Sequence, residues 1–229
     1  DGQVAGGQQF DGVNDYIDLG PTNILDGTGS FTVSAWVNID TIPGLNEHYG
    51  IYSRIPGAGD NGSFRLMVGQ WALANDSTFD ISTNDGTWHD ALANSESPTG
   101  SWTYLTAVYD GVGTVNFYFD GAPDGSDSYT EPGVVVGAGQ YIGAASPGIF
   151  RFDGFIDEVR LSTAIRSEDW IEAQHLSMTD AFIAPYGTQE SSTPYCTSRV
   201  LDELYVLYDF EEGGGTTVND VSSVGAPLN

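Results

Sequence analysis

The chain has 229 residues, with six arginines, no lysine and 32 carboxylates, for a formal net charge of −26. A surface this anionic repels phosphate backbones and acidic lipid headgroups, which excludes nucleic acid and anionic membranes as partners. With 40% apolar and 12% aromatic residues, and its acids spread along the chain, it is not a disordered polyanion either.

The length predicts one large β domain, or one domain plus an appendage. The chain opens on Asp1 without an initiator methionine, which fits a processed or excised fragment. No apolar run approaches the roughly 18 residues that span a bilayer, so membrane insertion is not expected. Phe31–Val37 alternates, with Phe31, Val33, Ala35 and Val37 on one face and Thr32, Ser34 and Trp36 on the other. Trp102–Tyr109 and Thr114–Phe119 read the same way, rich in aromatic and β-branched residues. Eight Asp-Gly dipeptides, among them Asp11-Gly12, Asp85-Gly86, Asp110-Gly111, Asp120-Gly121 and Asp153-Gly154, read as turns. Many of the acids are therefore turn formers, and their number is no sign of a carboxylate active site. Short strands at this spacing predict an all-β, antiparallel two-sheet sandwich of about a dozen strands.

One helix interrupts the pattern, at 167–176. Ser167 is its N-cap, Glu168 and Asp169 suit the positive end of the helix dipole, and Trp170, Ile171 and Gln174 face the sandwich. Residues 178–202 lose the alternation and collect Ser, Thr and Pro, which marks a connector. A strand signal returns at Leu204–Phe210. Cys196 is the lone cysteine and cannot form an intrachain disulfide; it is read as a free thiol, the alternative being a link between two chains.

Sugar recognition needs aromatic faces beside fixed polar groups. Trp71, Asn84, Trp88 and His89 are the candidates, with core packing the preferred reading for Trp71; Trp36, Trp102 and Trp170 are core or helix-packing residues. Asn61-Gly-Ser63 and Asn75-Asp-Ser77 fit glycosylation sequons.

Phe10-Asp-Gly-Val-Asn-Asp-Tyr-Ile-Asp-Leu19, Phe31–Val37, the Trp102–Tyr109 and Asn116–Pro123 pair, and Gly154-Phe-Ile-Asp-Glu-Val-Arg-Leu-Ser162 running into the helix together resemble laminin-G-like jelly-roll domains. The resemblance covers residues 8–176 and implies a concanavalin A-like sandwich, of the kind found in secreted or cell-surface proteins. Domains of this kind usually begin with a strand like Tyr205–Phe210; here it stands at the back. The expected organisation is thus a sandwich over 1–177, a connector over 178–202, and a displaced first strand in 203–229. Val206, Tyr208 and Phe210 would complete their own sheet, enter a neighbouring copy to build a homopolymer, or open a next repeat.

The resemblance also implies calcium as a structural ion. One candidate joins Asp157 of the closing strand to Asp220; the other is Asp60 with Asn61, where pentraxins carry a similar pair, the alternative being an ordinary turn. Glucanases share the architecture, but their Glu-x-Asp-x-Glu strand has no counterpart here, so no catalytic residues are assigned and an enzyme is not expected. The leading expectation is a non-catalytic extracellular module for adhesion or glycan recognition, its partner a glycan or surface protein. The alternatives are a structural subunit assembled from copies of itself by strand exchange and, remotely, a glycoside hydrolase.

Overall fold

The alternating runs form thirteen strands in a computed structural model, which describes residues 2–22, 29–55, 63–69, 78–84, 86–128, 138–182 and 204–208. In chain order they are β1 (Gln8–Asp11), β2 (Ile17–Thr22), β3 (Phe31–Ile39), β4 (His48–Ile55), β5 (Ser63–Gly69), β6 (Thr78–Asn84), β7 (Trp88–Glu96), β8 (Thr103–Tyr109), β9 (Thr114–Phe119), β10 (Ala122–Ser128), β11 (Ala138–Ile142), β12 (Asp153–Ser162) and β13 (Leu204–Tyr208), with helix α1 (Glu168–Met178) before the last. The first sheet runs β1-β12-β3-β8-β9-β10, with β13 also on β12; the second runs β2-β11-β4-β5-β6-β7. The expected antiparallel sandwich with one short helix is what forms.

The period of two decides what lies between the sheets. Phe31, Val33, Ala35 and Val37 of β3 enter the core with Phe64, Leu66 and Val68 of β5, and the Phe31 and Phe64 rings meet edge to face at 4.6 Å. The opposite face of β3 is not left to water. Trp36 is buried there against Tyr104 and His175, and its indole N–H points to the Met178 sulfur at 3.3 Å. Helix α1 covers this face, burying Ile171 and Gln174. Ser167 caps it as expected, accepting from the Trp170 amide, but the helix continues to Met178, two residues beyond the expected end.

Six of the Asp-Gly glycines have positive φ, yet they are not all turns. Asp120 and Gly121, at φ 51° and 80°, make the two-residue β9–β10 hairpin. Asp110 accepts from the amides of Val112, Gly113 and Thr114 at 2.8–2.9 Å, a side chain holding its own turn. Asp153-Gly154, expected as a turn, instead opens β12. Gly154 (φ 137°) lies so close to β3 that a Cβ would stand 2.1 Å from the Asn38 carbonyl, so the glycine serves close strand approach.

Strand β12 takes β3 on one side along Gly154–Ser162. Its other side is shared: β1 pairs with Asp153–Ile156, and β13 with Val159–Ser162, placing Tyr208 opposite Val159 and Val206 opposite Leu161. The expected strand at 204–210 is thus present as Leu204–Tyr208, beside its own closing strand, while Phe210 and the 183–203 stretch lie outside the described residues.

The edge at β7 is closed differently. Asp124 and Asp127 of β10, in the other sheet, reach its backbone. The Leu92 amide donates to Asp127 at 3.2 Å, and those of Asn94 and Ser95 donate to Asp124 at 3.1 and 3.0 Å. The Ser95 hydroxyl donates to the other Asp124 oxygen. Carboxylates thereby occupy donors that would otherwise template another strand. Asp124→Ala should lower stability by about 1–2 kcal/mol in denaturant unfolding, the range for stranded, partly buried donors, and should raise concentration-dependent self-association in light scattering.

Candidate functional site

The outer face of the second sheet carries a row of residues in continuous register. Asp18 lies opposite Tyr141, Tyr141 opposite Ser53, Ser53 opposite Arg65, Arg65 opposite Ser82, and Ser82 opposite Asp90. Residues in register share a face, and their neighbours along each strand point the other way. That rule separates two candidates adjacent in sequence. Trp88 belongs to the outer face, two strands from Arg65 and next to its row. His89 belongs to the inner row that runs Gln140, Arg54, Phe64, Thr83, His89.

Around Trp88 the structure assembles a charged aromatic cluster. The Arg65 guanidinium lies 3.7 Å from the centre of the Trp88 ring and 6.0 Å from that of Phe150. Such cation–π contacts are electrostatic and hold a planar guanidinium against the ring. Phe150 also meets the edge of His48 at 4.8 Å. Burial lowers the His48 pKa; the nearby Asp90 charge works against this and that of Arg65 with it, so the imidazole stays neutral at pH 7.

Phe150 comes from the segment between β11 and β12, which folds over β4. The Ser53 hydroxyl donates to the Ala144 carbonyl at 2.9 Å, and the Gly50 amide to the Phe150 carbonyl at 2.7 Å. Gly50 permits this approach, since a Cβ there would stand 2.4 Å from the Ala144 backbone. Beyond that segment, Tyr16 and Tyr141 meet edge to face at 6.0 Å beside Asp18.

Asn84 lies in register with Trp88 at the end of β6, which brings those two candidates together. Trp71 falls outside the described residues, as do Asp60, Asn61 and Asp220. Arg65, Asp90, His48, Phe150 and Tyr141 were not singled out from sequence. Their strand alternation was legible, but which residues of six strands fall into one row is a matter of register, which no local pattern carries.

Asp157 lies on the outer face of the first sheet, opposite Trp36 and at the joint between β1 and β13. It is fully buried; Oδ2 accepts from the Val4 amide at 2.9 Å, and Oδ1 has no side-chain hydrogen-bond partner among the described residues. Burial pushes its pKa up to about 7, the Val4 amide opposing and the neighbouring Glu158 charge adding. Glu158 itself sits in a bulge at φ 51° and binds Arg160 through Nε at 3.1 Å and Nη2 at 2.5 Å. Among the described residues, no three His, Cys, Asp or Glu side chains come together as a metal-binding group.

An acid whose pKa is higher in the folded protein holds its proton more tightly there. Its contribution to stability is complete below the ordinary value of 3.8 and is lost as pH rises through about 7. In chelated buffer, Asp157→Asn should flatten the fall in melting temperature across that window and match or exceed the parent's stability at pH 8. A parallel pH dependence in parent and variant would show that another group controls it.

A family model, Laminin_G_3, described as the concanavalin A-like lectin/glucanases superfamily, matches residues 11–172. No curated protein matches the sequence. Among solved structures, a Bacteroides ovatus protein described as carbohydrate binding aligns with TM-score 0.60 and 16% identity over 97% of this chain and 62% of its own. A heptameric SAP-like pentraxin from Limulus polyphemus gives 0.54 and 16%, over 73% of this chain and 80% of its own. Domain 4 of an extracellular arabinanase from Geobacillus stearothermophilus, in complex with arabinotriose, gives 0.51 and 21%, over 68% of each chain. At these identities the likeness is one of fold. Among the described residues, no helix is long and apolar enough to cross a membrane.

Proposed function

The chain belongs to the concanavalin A-like lectin/glucanases superfamily, and from that premise we propose that it is a non-catalytic glycan-recognition module, secreted or displayed at a cell surface. The observation behind the reading is the Trp88 cluster. Trp88 is a half-buried ring on the outer face of an edge strand, braced by Arg65 at 3.7 Å. A sugar needs an apolar platform for its ring and fixed acceptors for its hydroxyls, and Asp90 lies two residues along the same strand as the platform. Carbohydrate-binding proteins among the structural neighbours support the same class. On a glycan array that includes arabino-oligosaccharides, the parent should show saturable binding that Trp88→Ala reduces at least tenfold. Trp88→Phe, which keeps an aromatic face, should retain part of it.

Calcium is proposed as a stabilising ion at Asp157, whose buried Oδ1 has no hydrogen-bond partner among the described residues. Repeating the pH 8 melts with added calcium should stabilise the parent and leave Asp157→Asn unmoved. At a hundredfold excess over Kd the gain is about 2.7 kcal/mol.

A second reading, a subunit of an extracellular fibre or layer, draws on the place of β13. This strand returns from the far end of the sequence to share one side of β12 with β1. A neighbouring copy carries an identical strand, and head-to-tail donation does not close, so it propagates. Deleting residues 203–229 should abolish polymers if the reading holds; polymers that persist would refute it.

A further inference from the structure

Taken across the whole second sheet, the outer face offers more than the Trp88 cluster. Aromatic side chains recur along the polar row: Tyr16 and Tyr141 at the β2–β11 end, Phe150 over β4, and Trp88 on β7. Carboxylates stand at both ends, Asp18 in register with Tyr141 and Asp90 two residues along β7 from Trp88. The segment that crosses β4 between them carries Ile149, which is 47% exposed, and Tyr16 is 38% exposed. From Tyr141 to β7 is four inter-strand steps, roughly 19 Å at about 4.8 Å each. A single sugar ring cannot touch both ends.

We propose that this face binds an extended, neutral oligosaccharide laid across the strands, with Tyr16 and Tyr141 as a second sugar platform remote from Trp88. This rests on the glycan reading of the Trp88 cluster and adds the class of ligand: a chain, engaged at internal sugars, in place of a terminal residue. The alternation argues for it. A glycan chain presents apolar ring faces flanked by hydroxyls, and the row offers ring platforms flanked by carboxylate acceptors. Charge decides which chains fit. Asp18 and Asp90 outnumber the one cation in the row, Arg65, and the whole protein carries −26, so uronate-rich and sulfated chains are repelled while hydroxyl-rich neutral chains find acceptors. Two platforms on one chain act in concert, so affinity rises steeply once a ligand spans both.

The test is isothermal titration of the parent, Trp88→Ala, Tyr141→Ala and Tyr16→Ala with a neutral disaccharide and a neutral hexasaccharide of the same sugar, chosen as the best binder on the array. The parent should bind the hexasaccharide at least tenfold more tightly than the disaccharide. Tyr141→Ala and Tyr16→Ala should lose most of that advantage while disaccharide affinity stays unchanged; Trp88→Ala should weaken both ligands. Tyr141→Phe keeps the ring and should behave as the parent, which separates loss of a platform from loss of fold. Equal affinity of the parent for both lengths, or hexasaccharide binding indifferent to Tyr16 and Tyr141, would overturn the second platform and leave Trp88 recognition standing. Absence of any binding by the parent would overturn both.

Discussion

Antiparallel hydrogen bonding along Asp153–Ser162 ties together parts of the chain that are far apart in sequence. On one side this strand holds β3, whose apolar face forms the centre of the core; on the other it holds β1 and β13, from the two ends of the described chain. Where its other side passes from β1 to β13, β12 also breaks register with β3, in a bulge between Asp157 and Arg160. Glu158 takes a positive φ there, a conformation that costs a side-chain-bearing residue of order 1–3 kcal/mol. Its buried pairing with Arg160 fixes the bulge more than it stabilises the fold, since desolvation offsets much of the attraction in a buried ion pair.

The remaining edges follow the same logic with different means. At the edge strand β7, the amides of Leu92, Asn94 and Ser95 are occupied by Asp124 and Asp127 from the opposite sheet. This stitch joins the two sheets and blunts an aggregation-prone edge at once. It also leaves the outer face of β7 accessible while its backbone is closed, and Trp88 and Asp90 project from that face. Edge protection and the Trp88 cluster thus share one strand.

The two outer faces of the sandwich differ in what covers them. On the first sheet, α1 buries a second layer built from Trp36, Tyr104 and His175. On the second, among the described residues, the segment ending at Phe150 crosses at β4. This face carries aromatic groups next to polar ones. For an acidic protein with few cations, holding one of them, Arg65, against Trp88 places a scarce positive charge at that face.

Much of the architecture was legible in the sequence because it depends on local periodicity. Phe31–Val37 announced both of its faces, Ser167 announced the helix start, and Leu204–Tyr208 read as a strand before any partner was known. The motif set from Phe10 to Ser162 pointed to the family that residues 11–172 match. Local pattern failed where a residue's role depends on a distant neighbour. Asp153-Gly154 reads as a turn, yet the close approach of β3 makes it the start of a strand. Trp88 and His89 read as one site because they are adjacent, yet the pleat sends them to opposite faces. Arg65, Asp90 and Tyr141 carry no signal of their own and become one row only when six strands fall into register. Spacing along the chain determined which residues alternate; hydrogen bonding between strands decided which of them meet.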